Sequence, residues 1–223
     1  MKAERFSPLT QRRLHNFRAT RRGWWSLWIF LVLFTVSLFA EFVANDKPFI
    51  VVYDGQIYAP IFKAYPETVF GGDFLTEADY RNPYLAELIN AKGWMLWPPI
   101  RYHHQTVAWD LPVPAPAPPD LQHWLGTDDQ ARDVLARAIY GFRISVLFGF
   151  VLTIISAIIG VAAGAMQGYF GGWTDLLAQR FIEVWSGLPT LYLLIILASV
   201  VEPNFWWLLG LLLLFSWMGF VGV

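Results

Sequence analysis

GTDDQARDVLARAIYGFRIS, residues 126–145, decides how the chain is read. It carries six charged side chains, and residues 144–174 carry none. Thr127 followed by Gln130 is the pattern of a capping box, in which each side chain satisfies the other's free backbone N–H. Asp128 and Asp129 suit the positive end of a helix dipole. Asp128–Arg132 and Asp133–Arg137 are acid-before-base pairs at i,i+4, the more favourable orientation. Ala131, Leu135, Ala138, Ile139 and Phe142 share one face at helical spacing, with Asp133 and Arg137 opposite. The spacing predicts an amphipathic interfacial helix over 121–143 that leads into a membrane span.

Composition agrees. Of 223 residues, 56% are hydrophobic and only 15% charged, where an average soluble domain carries about 25%. There is no cysteine, so disulfides, thiolate metal sites and a cysteine nucleophile are excluded. Uncharged runs at 23–40, 144–174, 184–201 and 205–223 each approach or exceed the roughly 20 residues a span requires. Trp24, Trp25 and Trp28 open the first run, and Trp206 and Trp207 the fourth. Such rings suit the membrane–water interface. The arm at 1–22 holds Lys2, Arg5, Arg12, Arg13, Arg18, Arg21 and Arg22 against Glu4 alone, which places it in the cytoplasm. A signal peptide fits the same pattern, but the apolar run is long and "SLFAEF" is a poor cleavage site. Nucleic-acid binding by the arm is a weaker alternative.

The expected fold is an all-α polytopic membrane protein with four transmembrane helices and a small α+β extracytoplasmic insert. Its expected parts are a basic arm (1–22), a first span (23–44), an insert (45–120), an interfacial helix (121–143) and a core of spans two to four (144–223). Residues 45–143 lie outside on this topology, with twelve acidic and eight basic side chains. "EPN" (202–204) turns between spans three and four, since Pro203 cannot continue a helix. In the insert, "FIVVYDGQIYAPIF" (49–62) predicts a hairpin turning at Asp54-Gly55. "YLAELINAKGW" (84–94) predicts a short helix stopped by Gly93. "PVPAPAPP" (112–119) predicts an extended, semi-rigid strut. Trp94, Trp97, Tyr102 and Trp109 form the insert's core, or bind a ligand or a partner. His103-His104 is a poor metal site, because neighbouring side chains diverge and no third ligand is suitably spaced.

Several chemistries leave no trace. The chain lacks a G-x-x-x-x-G-K-[ST] phosphate loop, an H-E-x-x-H zinc motif and a G-x-S-x-G elbow. A pore, carrier, receptor or assembly subunit is favoured over an enzyme. Within the spans, Gly160, Gly164 and Gly168 recur every four residues and predict a close helix-packing face. Pro189 predicts a kink in span three, and so a candidate hinge. Arg180 and Glu183 form a candidate ion pair at that span's end.

"HWLGTDDQARDVLARAIYGFRISVLFGF" (123–150) resembles the segment before the second span of the C-type permeases of dipeptide and oligopeptide ABC importers. Gly126, Thr127, Asp128, Arg132, Asp133, Arg137, Gly141, Arg143 and Ser145 match the pattern. Ala131 stands where the family usually has Gly, and Ala136 where Ser is common; both changes are compatible with a helix. "GYFGGWTDLLAQRFIEVWSGLPTLYLLI" (168–195) resembles the family's next segment, with Gly171, Gly172, Asp175, Arg180, Glu183 and Pro189 in register. The long outer segment, with "YDGQIYAP" and "GWMLWPPIR", is similar to a branch of these importers that takes up microcin C-like peptides.

The resemblance implies a bacterial inner-membrane permease with six spans and no cofactor of its own. It implies a heterodimer with a second permease, ATP and Mg on partner ATPases, a periplasmic peptide-binding protein, membrane lipid and no nucleic acid. The family's EAA-type loop, which docks on the ATPase, would begin where this chain stops at Val223. The alternative reading is a membrane-anchored ligand-binding receptor or assembly subunit that works through its outer cap.

Overall fold

The computed structural model describes residues 7–202 and 204–222. Lys2, Glu4 and Arg5 of the arm, Pro203 of the expected turn and Val223 lie outside the described residues. The chain forms two compact units, Met1–Arg143 and Ile144–Val223.

The first unit opens with α1 (Pro8–Ala19), capped by the Ser7 hydroxyl, which accepts from the Thr10 N–H at 3.4 Å. α2 (Arg21–Leu38) covers most of the first uncharged run, and a break at Phe39 separates it from α3 (Ala40–Val43). β1 (Ile50–Tyr53) and β2 (Gln56–Tyr58) form the expected hairpin, with Val52 opposite Ile57. Asp54 and Gly55 both have positive φ, 49° and 73°, which a two-residue turn of this hand requires. β3 (Gly93–Leu96) pairs antiparallel with the other side of β1, placing β1 in the centre.

α4 (Pro83–Lys92) begins at Asn82, whose Oδ1 accepts from the Tyr84 N–H at 3.0 Å. It buries Leu85 and Ile89 with Val51, Phe70 and Tyr80. Each such side chain contributes about 1.5–3 kcal/mol on leaving water. Gly93 joins α4 to β3, and a Cβ there would overlap the Val52 carbonyl; the approach of the strands therefore demands glycine at that position.

A second cluster holds Ala40, Ala44, Ile100, Tyr102, Ala108, Ala136 and Tyr140. It packs the end of the first apolar helix and the last part of the insert on the first turns of α5 (Val134–Phe170). The Tyr140 hydroxyl donates to the Ala44 carbonyl at 3.0 Å. Four of these residues are alanine because backbones meet closely here, leaving little room for side chains.

The second unit contains most of α5, then α6 (Gly172–Ser186), α7 (Thr190–Val200) and α8 (Phe205–Ser216), which ends in a 3₁₀ turn at Trp217–Phe220. Gly171 separates α5 from α6, and both it and Gly172, the first residue of α6, sit at φ 55°, a region open to glycine at little cost. Asn204 caps α8 by accepting from the Trp207 N–H at 2.9 Å. Ser156 and Ser216 share a 2.8 Å hydrogen bond between α5 and α8's end, and the Trp185 indole donates to the Leu214 carbonyl at 3.0 Å.

The structure is mainly helical with one small sheet. Among the described residues one helix, α5, is long and apolar enough to cross a membrane. α6 and α7, bent by 65°, add a second if the pair is one broken span. α8 with its 3₁₀ turn is shorter. The expected count of four spans rests on the uncharged runs rather than on these helix lengths.

Candidate functional site

The cassette at 126–145 folds differently from its helical expectation. The helix starts at Val134, not at residue 121, and residues 126–133 form a tight loop closed by a bridge between Thr127 and Asp133. Thr127 is not a helix cap. Its hydroxyl accepts from the Ala117 N–H at 2.9 Å and its N–H donates to the Ala117 carbonyl at 3.0 Å. The Pro-rich segment is thereby pinned to the cassette instead of standing free as a strut. Gly126 adopts φ 73°, and a Cβ there would strike the Ala117 carbonyl. Both the conformation and the close approach call for glycine.

Asp128 is the hub of the loop. Its Oδ1 accepts from the Gln130 and Arg132 N–H groups, each at 2.9 Å, and its Oδ2 receives the Arg132 guanidinium at 2.9 Å and that of Arg137. Burial opposes the charged form, but the hydrogen bonds from Arg132 and Gln130 outweigh it and hold the carboxyl below its ordinary range. The Asp128–Arg132 pair exists, yet across a turn and not along a helix. The expected Asp133–Arg137 pair gives way to Arg137–Asp128. Turn formation wins because an Asp side chain can capture N–H groups two and four residues on, competing with helix hydrogen bonds.

Asp133 is the true helix cap. Its Oδ1 accepts from the Ala136 N–H at 2.7 Å, while Oδ2 meets His123 Nδ1 at 2.9 Å. The pair is almost sealed, with 2% and 1% of the side chains exposed. His123 stacks at a tilt on Tyr102, centroids 4.3 Å apart. The sequence reading missed His123; the signal was a lone histidine ten residues ahead of a motif aspartate, too far for any local spacing rule. At the end of the unit, Arg143 binds both carboxylate oxygens of Glu41 at 2.9 Å. That contact spans a sequence separation of 102 residues. The cassette thus clamps the insert, α3 after the first apolar helix and the first turns of α5 to one another.

His103 and His104 pack against Tyr140, with centroids 4.8 and 4.6 Å away. No group of three metal-binding side chains occurs among the described residues.

In the second unit, Gly160 and Gly164 lie where α5 meets the end of the chain. A Cβ on either would overlap backbone at Trp217 or Val221, whereas Gly168 faces open space. A cleft of about 430 Å³ brings Gly164, Gly168, Asp175 and Glu183 together with Gln167 and Gln179. Asp175 sits in the first turn of α6 and accepts from Gln179 at 3.3 Å. Arg180 and Glu183 pair at 2.5 Å on the exposed face of α6. Pro189 lies in the break between α6 and α7, not inside a continuous span.

A long apolar helix and a broken helix pair suit a membrane protein. Residues 156–223 match the family described as binding-protein-dependent transport system inner membrane component. Along nearly all of its length the chain is also similar to YejE permease proteins. It is 55% identical to the peptidoglycan transport system permease protein YejE of Agrobacterium fabrum, over 98% of this chain and 63% of that protein. It is 56% identical to the inner membrane ABC transporter permease protein YejE of Escherichia coli, over 98% of this chain and 64% of the relative. The dipeptide permease DppC of Haemophilus influenzae is 44% identical over 36% of this chain and 27% of its own length. The chain therefore spans a little under two thirds of the length of its YejE relatives.

Proposed function

We propose that the protein is a permease subunit forming half of a translocation pathway for peptides across the bacterial inner membrane. It pairs with a second permease, two ATPase subunits that carry ATP and Mg, and a periplasmic peptide-binding protein. The subunit itself moves by alternating access and makes or breaks no covalent bond. Its arm (1–22) is cytoplasmic and residues 45–143 are periplasmic. Four spans belong to this chain and six to the complete subunit. Arg180–Glu183 fixes a helix end, and Pro189 is the hinge of the moving element. Cargo includes short peptides and, by analogy with the Agrobacterium relative's name, peptidoglycan-derived fragments; microcin C-like antibiotics fall in the same chemical class.

The observation that carries this reading is identity to YejE permeases along 98% of the chain, together with the ordered motifs at 126–145 and 168–195. Uptake of a labelled tripeptide by cells bearing the complete protein tests it. Uptake should fall to background when the gene is deleted and return on complementation. Unchanged uptake in the deletion strain rejects the function.

A further inference from the structure

The insert contains a cleft of about 630 Å³, lined by Arg81, Arg101, Trp97, Tyr102 and Trp124 with the amides of Asn90 and Gln122. Its size suits a small ligand, since such sites commonly measure about 300–1,000 Å³. All of these residues belong to the first unit.

Both arginines are held against aromatic rings. Arg81 lies 4.1 Å from the Tyr102 centroid and Arg101 5.4 Å from that of Trp97. A guanidinium on a ring keeps the edge of its donor fork free for a carboxylate. Arg81 is partly neutralised by Asp110 at 3.5 Å. Arg101 has no carboxylate partner among the described residues. The cleft thus carries one uncompensated cation in a semi-enclosed aromatic frame, where a charge-assisted hydrogen bond is stronger than in open water.

The walls are preformed. Trp124 is 56% exposed, yet its indole is oriented by donating to the Leu121 carbonyl at 3.2 Å. Tyr102 is buried and donates to Gln122 Oε1 at 3.2 Å, an arrangement that leaves the Gln122 amide NH₂ as a donor. An aromatic surface, amides able to bond a peptide backbone and one unpaired guanidinium are complementary to a short peptide with a free C-terminal carboxylate.

We propose that this cleft binds the C-terminal end of a short peptide, with Arg101 holding the carboxylate and the Trp97 and Trp124 rings covering the last side chains. The proposal rests on the peptide-transport reading and adds a peptide site on the periplasmic insert. Its test uses the complete subunit with its partner permease and ATPases in lipid nanodiscs, without the peptide-binding protein, titrated calorimetrically with trialanine and with trialanine amide. The acid should bind about tenfold or more tightly than the amide. Arg101→Gln should weaken the acid by about the same factor and abolish the discrimination. Lys63→Gln, which removes a charge outside the cleft, should change neither.

Equal binding of acid and amide, no binding of either, or an unaltered Arg101→Gln protein overturns the proposal. Acid-dependent occupancy seen only with the peptide-binding protein present also overturns it, and makes the cleft a docking patch. Uptake separates the two readings. If deletion abolishes uptake while Arg101→Gln binds like the wild type, transport stands and the cleft falls. If deletion leaves uptake unchanged, transport falls whatever the calorimetry shows.

Discussion

Ala131 shows how one residue can be misjudged from its neighbours. In a helix, alanine for the family's usual glycine is harmless. The position is not helical: Ala131 sits at φ 57°, with its N–H donating to the Asp128 carbonyl at 3.0 Å. A Cβ in the left-handed region costs about 1–2 kcal/mol. Ala131→Gly should therefore stabilise the protein by up to about 1 kcal/mol, after glycine's extra unfolded-state entropy is subtracted, and a thermal melt in detergent should move upward. Asp133 is the opposite case, a residue with two structural bonds. Asp133→Ala removes a helix cap worth about 1 kcal/mol and leaves buried His123 without its partner, a further cost of about 1–3 kcal/mol. The melt should drop by several degrees. Asp133→Asn, which retains an oxygen for the cap, should lose less, and equal losses would show that the cap contributes nothing.

Among elements, α5 makes the clearest prediction. Gly160 and Gly164 face backbone of the chain's last turns, and Gly168 faces none. Gly160→Leu or Gly164→Leu forces that segment away, with an overpacking cost of about 1–3 kcal/mol. Gly168→Ala should be neutral or slightly stabilising, since alanine is the better helix former. Cysteine cross-linking between α5 and the 217–221 segment would report the difference. The four-residue spacing was visible in the sequence and treats the three glycines alike. Which two are covered depends on where α8 ends, and no local pattern carries that. Pro189 is similar: a break was legible from the missing N–H, but its place between two helices came from Gly187 and Leu188 closing α6 with bonds to the Glu183 and Trp185 carbonyls at 3.2 Å each.

At the scale of the molecule, the joint between the insert and the start of α5 should govern acid stability. Burial holds both His103 and His104 below their ordinary value of 6.5. Asp46 and Glu41 pull His103 back upward, while Lys47 and Arg143 push it down; His103, Arg143, Arg137 and Arg132 push His104 down further. A lowered imidazole means that the unfolded chain binds protons more readily than the folded one. The stabilisation is complete above the ordinary histidine value and is lost as pH falls through it toward the folded values. The melting temperature should decline between about pH 7 and pH 5, with hydrogen exchange rising first around residues 100–106. A His103→Phe, His104→Phe double variant should flatten that slope, and an unchanged slope would place the sensitivity elsewhere.

The sequence by itself determined the class. Charge deficit, uncharged runs and a basic arm are one-dimensional quantities set by transfer from water to lipid, and the Asp54-Gly55 hairpin and α4 follow from local backbone preferences. The motif order carried the resemblance to peptide-importer permeases for the same reason: spacing along the chain survives without coordinates. Only the tertiary structure decided what the motif residues do. Asp128 chose a turn over a helix, Asp133 took the cap and paired with His123, and Arg143 reached Glu41. Each choice depends on a partner brought near by packing, where burial makes a satisfied polar group favourable and an unsatisfied one costly. Helix propensity, which differs by less than about 1 kcal/mol between ordinary residues, could not compete with those bonds.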